Sequence, residues 1–294
     1  MRWPPPSDWP NVARSKRVFC APHRWHVQLL GEGADLLLLH GAGGSTHSFR
    51  DLIPLLAKHH RVIALDLPGQ GFTQLGARHR CGLDATVTDI AALIRQEGWA
   101  PAGIIGHSAG AAVGLSLVAD DVSPRGQPPR IVGINPALDN FEGLAGALFP
   151  ALAKILAAVP FTAQAFASLT ATPARVQSLI SSTGSNLDAD GLSFYRRLIS
   201  DRDHVDATLL MMANWPLDTL NNRLFEITAP TLFIVGEEDR TVPPRVSDKA
   251  ASRMPNAHVS RIAGAGHLVH EEQPQQVARL ILDWLDLSLC QQGC

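Results

Sequence analysis

Short runs of continuously apolar residues, most of them closed by a glycine or a proline, recur along this chain and alternate with helical patterns. Apolar runs of strand length without polar alternation are typical of a parallel sheet that helices cover on both faces. Residues 24–30 alternate instead, as a half-buried strand does. The predicted strands lie in residues 24–30, 35–39, 61–71, 102–108, 130–136, 230–236 and 258–264.

The same rhythm predicts a core and an inserted cap. Residues 1–136 and 229–294 alternate between strands and helices, which predicts an α/β core with a mostly parallel, doubly wound sheet. Predicted helices include residues 52–58, 89–97 and 274–285, the last with a proline in its first turn. In residues 137–228 the pattern is helical throughout, and prolines at 150, 160 and 173 divide it. We therefore predict a helical cap over the carboxyl ends of the strands, where such sheets bind ligands.

Composition limits the classes of partner and compartment. The 294 residues are 46% hydrophobic and 18% charged, which is typical of a soluble globular domain. A net charge of −2 gives no reason to expect a nucleic-acid partner. The four cysteines form no C-x-x-C pair, so we predict reduced thiols in a cytoplasmic protein, with no zinc or redox site.

Neither the N-terminal segment nor the longest apolar stretch predicts export or a membrane span. The first ten residues, "MRWPPPSDWP", lack the apolar stretch of a secretory signal. The longest apolar stretch, residues 144–161, contains Pro150, Lys154 and Pro160, which predicts broken helices rather than a membrane span. Peripheral contact of this stretch with a membrane surface is the remaining alternative.

The motif "GHSAG" at residues 106–110 follows an apolar run and opens an alanine-rich helical pattern. This strand–turn–helix setting is the one in which a serine is exposed on a sharp turn as a nucleophile. Glycines at both ends allow the sharp turn and the close packing of helix on strand. The alternative is a serine that merely caps a helix, and the other members of a catalytic site discriminate the two.

Backbone donors for an oxyanion are predicted at two places. One is the N–H of Ala109, the residue after the serine, and the other is the N–H of Ala42 in "HGAGG", residues 40–44, which follows an earlier strand. A glycine-rich phosphate loop is the alternative for "HGAGG". It lacks the Lys-Ser/Thr ending of a P-loop and does not fit G-x-G-x-x-G.

The acid and the base are expected later in the chain, in that order. Asp239 in "GEEDRTVPP" and His267 in "GAGHLVHEEQP" each follow a predicted strand, and Glu238 and Asp139 are competing acids. His270 is interpreted as a solvated or cap-facing residue. The stretch "HLVHEE" is not H-E-x-x-H and suggests no third ligand, so no metal and no cofactor are predicted.

The chain resembles the α/β-hydrolase superfamily over nearly its whole length. Five stretches carry this resemblance: "HGAGG", "DLPGQGFT", "GHSAG", "GEEDRTVPP" and "GAGHLVHEEQP". A narrower set resembles the magnesium-chelatase accessory proteins of the bacteriochlorophyll biosynthesis cluster: "WHVQ", "STHSFRDLIPLLA", "GHSAGAA", "TGSNLDADGLSFY" and "MMANW". The last two lie in the predicted cap. One departure is "NWPLD", where Pro216 stands between Trp215 and the expected Asp and puts the shape of that loop in doubt.

The narrower resemblance implies a role in or near magnesium insertion into protoporphyrin, whereas the residues imply acyl transfer by a serine. Three classes stay open. They are a serine hydrolase of esters or thioesters, a non-catalytic tetrapyrrole-binding or chelatase-assisting factor, and a cofactor-free haloperoxidase-like or C–C-bond hydrolase. The expected partners are an apolar substrate or a tetrapyrrole and magnesium chelatase, at a photosynthetic membrane or in the cytoplasm.

The apolar composition of the predicted cap favours a large apolar ligand. The predicted substrate pocket consists of His40, Gly41, His107, Met211, Met212 and Trp215. A porphyrin carries carboxylates at its edge, so cations are expected at the rim of its pocket. The candidates are Arg175, Arg196, Arg197, Arg202 and His204.

Overall fold

The computed structural model describes residues 1–121, 128–139 and 172–291, and the strands in these ranges form one sheet. The strands are β1 (Ser15–Cys20), β2 (His23–Leu30), β3 (Asp35–Leu39), β4 (Arg61–Leu65), β5 (Pro101–His107), β6 (Arg130–Ile134), β7 (Thr231–Gly236) and β8 (Ala257–Ile262). Their order is β1-β2-β4-β3-β5-β6-β7-β8. The pairs β1–β2 and β2–β4 are antiparallel, and all other pairs are parallel. The chain therefore reverses its direction across the sheet between β3 and β5, the position at which open α/β sheets bind ligands.

Helices cover both faces of this sheet. They are α1 (Ile53–Leu56), α2 (Leu83–Glu97), α3 (Ala109–Ala119), α4 (Pro173–Ser182), α5 (Ala189–Ser200), α6 (Arg202–Ala213), α7 (Asp218–Arg223), α8 (Arg245–Ala251), α9 (Val269–Glu272) and α10 (Pro274–Gln291). Leu37 and Leu39 of β3 belong to one apolar cluster, with residues of α2 and α3. Leu36 and Leu38 belong to a second cluster, with residues of α1 and α10. Because successive side chains of a strand point to opposite faces, an uninterrupted apolar run fits a strand that is buried on both sides.

The predicted fold class is confirmed, with differences at single elements. The edge strand β1 was not predicted, because its sequence "SKRVFC" is half polar and only its last residue is buried. The run at residues 61–71 contains a strand only as far as Leu65 and continues as turns. The predicted helix at residues 52–58 is a single turn, and the one at residues 89–97 is the second half of α2. Local pattern located these elements, but sheet pairing and packing set their ends.

The predicted cap is described only at residues 137–139 and 172–228, where it contains α4 to α7 and no strand. Pro173 does not cut a helix but is the first residue of α4, a position that needs no N–H donor. Asp188 and Asp201 cap α5 and α6, where their side chains accept from the N–H groups of Gly191 and His204. The prolines at 150 and 160 and the apolar stretch 144–161 lie outside the described residues, so the division into core and cap stays a prediction. No helix in the described part of the chain is long and apolar enough to cross a membrane.

Close packing of α3 on the sheet depends on glycine. A Cβ at Gly110 would lie 2.1 Å from the Leu39 carbonyl oxygen and 2.7 Å from that of His40, both at the end of β3. A Cβ at Gly106 would lie 2.4 Å from the backbone N of Ala111 and the O of Gly110. Backbone cannot give way as a side-chain tip can, so only glycine lets the first turn of α3 rest against β3 and β5.

We expect Gly110→Ala to lower the free energy of unfolding, because Leu39 and α3 must separate. The loss should reach or exceed the roughly 1–3 kcal/mol that is typical of overpacking. Thermal denaturation followed by circular dichroism measures the loss. Gly114→Ala in the same helix is the matched control, since its Cβ would meet side-chain atoms of Ile104, the nearest being Cγ2 at 3.0 Å, and no backbone atom. Equal melting temperatures for the two variants would show that the approach of α3 to β3 does not require glycine.

Candidate active site

Ser108 lies on a strained turn between β5 and α3. Its φ of 50° and ψ of −114° are unusual for a residue with a side chain. The backbone holds this conformation through hydrogen bonds to the end of β6. The Ser108 N–H donates to Ile134 O at 2.9 Å, and the N–H of Ala137 donates to Ser108 O at 3.2 Å. The serine that the sequence singled out therefore has the backbone geometry of a nucleophile elbow.

The imidazole of His267 is bonded to the carboxylate of Asp239. His267 Nδ1 and Asp239 Oδ2 are 2.8 Å apart, and both side chains are buried. Asp239 Oδ1 accepts from the N–H groups of Thr241 and Val242, each at 2.8 Å, so the carboxylate cannot rotate freely. Since Nδ1 donates its proton to Asp239, Nε2 is left as the basic nitrogen. The competing acid Asp139 instead accepts from Lys249 Nζ at 3.0 Å, and Glu238 is exposed.

Two loops approach the elbow: one carries His267 and packs against His107, and the other carries the predicted oxyanion donor Ala42. The rings of His267 and His107, the residue before Ser108, have centroids 4.9 Å apart. His107 Nε2 donates to the backbone oxygen of His267 at 2.9 Å. On the other side, a Cβ at Gly41 would lie 3.0 Å from Ser108 Cβ, so the loop after β3 touches the elbow. The tertiary structure thus gathers the predicted nucleophile, base, acid and oxyanion loop at one end of the sheet.

The predicted oxyanion donors differ in how they are held. Ala109 is the first residue of α3, where backbone N–H groups have no partner within the helix and the helix dipole is positive. Ala42 lies in a loop that is tied on two sides. Gly43 N–H donates to Gln70 Oε1 at 2.7 Å, and Gly43 O accepts from His204 Nε2 at 3.2 Å. The loop around Ala42 is therefore fixed by the segment after β4 and by α6.

The residues predicted to line the substrate pocket have several different surroundings. Gly41 is against Ser108, as described, and Met212 and Trp215 are partly exposed. Met211 is buried, and its Sδ accepts from Gln70 Nε2 at 3.0 Å. Both ring nitrogens of His40 are used by backbone: Nδ1 donates to Gly41 O at 2.7 Å, and Nε2 accepts from Leu67 N–H at 2.9 Å. His40 and His107 thus hold the loops of the site through hydrogen bonds to their backbone.

Two histidine predictions are wrong. His204 was expected as a rim cation, but it is buried, accepts at Nδ1 from Gly71 N–H at 3.0 Å, and burial lowers its pKa to about 3. A neutral imidazole cannot pair with a carboxylate at the rim. His270 was interpreted as solvated or cap-facing, but it is fully buried against His107 and Phe49. Burial lowers its pKa also to about 3. Histidine is a polar residue, and the helical patterns around His204 and His270 do not distinguish a buried position from an exposed one. The sequence therefore does not predict their burial.

Of the other rim candidates, Arg197 pairs with Asp8, its Nη1 lying 3.0 Å from Oδ1, whereas Arg175, Arg196 and Arg202 are exposed. Among the described residues, no group of three or more His, Cys, Asp or Glu side chains is arranged to hold a metal ion.

A buried charge cluster that sequence reasoning missed joins the described cap to the core. Glu271 on α9 accepts from the Tyr195 hydroxyl of α5 at 2.6 Å and from a guanidinium nitrogen of Arg50. Burial raises the pKa of Glu271 to about 7, against the lowering effect of Arg50 and Tyr195. Burial also raises the pKa of Tyr195 well above its usual range. Glu271 is four residues after His267, so the cluster links α5 to the segment that carries the predicted base.

We expect Glu271 to make the stability depend on pH. Its pKa rises from 4.5 to about 7 on folding, so between these values the folded protein binds the extra proton. This contribution is fully present below pH 4.5 and is lost as the pH rises through 7. The free energy of unfolding of the wild type, relative to Glu271→Gln, should therefore fall by about 1.4 kcal/mol or less per pH unit in this window.

Urea denaturation at several pH values measures this difference. Glu237→Gln replaces an exposed glutamate and serves as the control, for which no such slope is expected. A wild type that gains stability over Glu271→Gln as the pH rises would show that Arg50 keeps the carboxylate ionised in the folded state.

Comparison with known proteins agrees with the observed fold. A sequence profile of the alpha/beta hydrolase fold matches residues 36–274. The magnesium-chelatase 30 kDa subunit of Rhodobacter capsulatus is 44% identical over 283 residues, which are 96% of this chain and 98% of that protein. The pimeloyl-[acyl-carrier protein] methyl ester esterase of Xanthomonas campestris is 26% identical, over 87% of this chain and 96% of that protein. A crystal structure of an alpha/beta hydrolase fold protein from Burkholderia ambifaria is similar, with a TM-score of 0.77 and 25% identity, over 91% of this chain and 97% of that one. Both resemblances inferred from the sequence motifs are thereby confirmed, and the chain belongs to the α/β-hydrolase family.

Proposed function

We propose that this protein is a serine hydrolase of esters or thioesters and that it acts as an accessory factor at the magnesium-protoporphyrin step of bacteriochlorophyll biosynthesis. The observation that carries the hydrolase part is the His267–Asp239 pair, whose imidazole packs against His107, the residue before the strained Ser108 turn. A base held in one tautomer next to such a serine is the arrangement that serine hydrolases require. The similarity to an esterase of Xanthomonas campestris supports the choice of ester chemistry.

The proposed reaction proceeds through an acyl-enzyme. Ser108 Oγ attacks the acyl carbon while His267 Nε2 takes the hydroxyl proton, and Asp239 stabilises the imidazolium that forms. The N–H groups of Ala42 and Ala109 bind the oxyanion of the tetrahedral intermediate. His267 then gives the proton to the leaving alcohol or thiol. A water molecule, deprotonated by His267, repeats the sequence at the acyl carbon and releases the acid and free Ser108.

The accessory part of the proposal rests on similarity to the magnesium-chelatase 30 kDa subunit. Inserting a metal ion into a porphyrin requires neither a nucleophile nor an oxyanion site, so the hydrolysis would be ancillary to chelation. We propose an apolar substrate or a tetrapyrrole derivative as ligand and magnesium chelatase as partner. We place the protein in the cytoplasm, with contact between residues 144–161 and photosynthetic membranes. Those residues lie outside the described part of the chain.

We expect Ser108→Ala to abolish labelling by a fluorophosphonate probe and any esterase activity, with an unchanged melting temperature, because alanine meets the same backbone strain as serine. Gel fluorescence after labelling measures this. Ser252→Ala removes an exposed hydroxyl that donates to Lys249 O and is the matched control. Asp239→Asn should cost less activity than His267→Ala, since His267 itself moves the proton. Labelling that persists in Ser108→Ala would identify a different nucleophile.

The second candidate function is that of a non-catalytic tetrapyrrole-binding or chelatase-assisting factor, which the chelatase kinship favours. Complementing a gene deletion with wild type or Ser108→Ala, and measuring bacteriochlorophyll, separates it from the first. Full rescue by Ser108→Ala would support this candidate, and no rescue would support hydrolysis. Assays with β-diketone substrates and halide oxidation identify the third possibility, a C–C-bond hydrolase or haloperoxidase-like enzyme that uses the same residues.

We expect protoporphyrin to bind saturably, with fluorescence titration as the measurement. Arg196→Glu should weaken binding by reversing an exposed charge of α5, a predicted rim cation, and Trp215→Ala by removing a partly exposed aromatic surface. Ser108→Ala should bind as the wild type does. An absence of saturable binding to the wild type would reject the tetrapyrrole ligand and leave the hydrolase proposal standing.

A further inference from the structure

Asn135 lies between the loop that carries the predicted acid and the loop that carries the predicted base. It follows the last residue of β6, is 1% exposed, and has a φ of 41°, which asparagine adopts more readily than most residues. Its backbone N–H donates to Ile234 O at 2.9 Å and so extends the pairing of β6 with β7. This pairing directs the side-chain amide toward the carboxyl ends of β7 and β8.

Every hydrogen bond of the Asn135 side chain goes to one of these two loops. Oδ1 accepts from the N–H of Gly236, the last residue of β7, at 2.9 Å. Nδ2 donates to Gly266 O at 3.0 Å and to His267 O at 2.8 Å. Gly236 is three residues before Asp239, so a single planar amide connects the acid loop to the backbone of His267.

The surroundings of the amide leave little freedom to either loop. A Cβ at Gly236 would lie 2.4 Å from the carbonyl oxygens of Ala265 and Gly266, so the two loops pack backbone against backbone. Glu238 N–H also donates to Ala265 O, at 2.9 Å. The His267 carbonyl, however, receives its donors from Asn135 and from His107, the neighbour of Ser108. The backbone of His267 is thus held by residues at the ends of β5 and β6.

The chemical requirements at this position are specific to an amide. One end of the side chain must accept from Gly236 N–H while the other donates to two carbonyl oxygens, and only Asn or Gln offers both in one plane. Aspartate has nearly the same shape but cannot donate when ionised, so it would face the Gly266 and His267 oxygens with a negative charge. Buried groups left without partners in this way are costly, and the loops are expected to move to avoid it.

We propose that Asn135 is a positioning residue that sets the His267 imidazole against Asp239 and beside Ser108, by joining the Gly236 N–H to the His267 carbonyl. This inference rests on the proposed Ser108–His267–Asp239 triad. A displacement of the order of 1 Å in a catalytic group costs about 100-fold in rate. A residue that touches neither substrate nor any triad side chain therefore controls the reaction through the backbone of the base.

The test uses Asn135→Asp in the full chain, with Asn256→Asp as the matched control. Asn256 also donates to a backbone carbonyl, that of Thr228, at 2.8 Å, but it lies at an exposed position away from His267. The first readout is the ¹⁵N chemical shift pair of the His267 ring, which reports its tautomer and does not need a substrate. The second is the rate of fluorophosphonate labelling of Ser108.

We expect a pure Nδ1–H tautomer of His267 in the wild type and in Asn256→Asp, and a mixture of tautomers in Asn135→Asp. Labelling should be about 10- to 100-fold slower in Asn135→Asp, at temperatures where circular dichroism shows it folded. If Asn135→Asp does not fold, Asn135→Ser, which keeps a donor too short to span the loops, is expected to show the same two changes.

Unchanged tautomer and unchanged labelling in a folded Asn135 variant would overturn the positioning role. Absence of labelling in the wild type would count against the proposed hydrolase instead. In that case the tautomer of His267 still decides whether Asn135 holds it, so the two failures remain distinguishable.

Discussion

The reversal of the chain at Ser108 depends on surfaces of backbone that carry no side chain. Gly106 and Gly110 let the first turn of α3 rest on the ends of β3 and β5, and Gly41 brings the following loop against the serine. The strained φ of Ser108 persists because Ile134, at the end of β6, and Ala137, three residues later, bond to its backbone. This contact fixes the position of the Ala109 N–H, one of the two proposed oxyanion donors. The other predicted site residues are positioned relative to this turn.

The loops around Ser108 are held largely by buried polar side chains. His40, His107 and Asn135 each bond to backbone of a site loop, and Gln70 bonds to Gly43 and Met211. Burial lowers the pKa values of His40 and His107, which keeps their rings neutral. Each such bond adds only about 1 kcal/mol to stability, but breaking one leaves a buried group unpaired. Their main effect is to specify one arrangement of the loops.

The kinship and the geometry point to different kinds of activity. The 44% identity to a magnesium-chelatase subunit extends over 96% of the chain. The bonded His267–Asp239 pair beside Ser108 is a demanding arrangement that metal insertion does not use. Proteins that share a fold often differ in chemistry, so the site and not the fold decides the reaction. The proposed hydrolytic step in support of chelation accounts for both observations, and the buried cluster of Arg50, Tyr195 and Glu271 connects α5 to the helix that follows His267.

The sequence by itself determined the α/β class, the elbow and the chain order of Ser108, Asp239 and His267. These depend on local patterns: uninterrupted apolar strands, glycines around a turn, and polar residues that follow strands. It left Asp239, Glu238 and Asp139 as rival acids, and only the packing of β7 against β8 brings the Asp239 carboxylate to His267. The tertiary structure also decided the burial of His204 and His270 and the roles of Asn135 and Glu271. Such side chains are polar in any pattern, and the partners of Asn135 and Glu271 lie 76 to 221 positions away in the chain, so no local pattern could have revealed their environment.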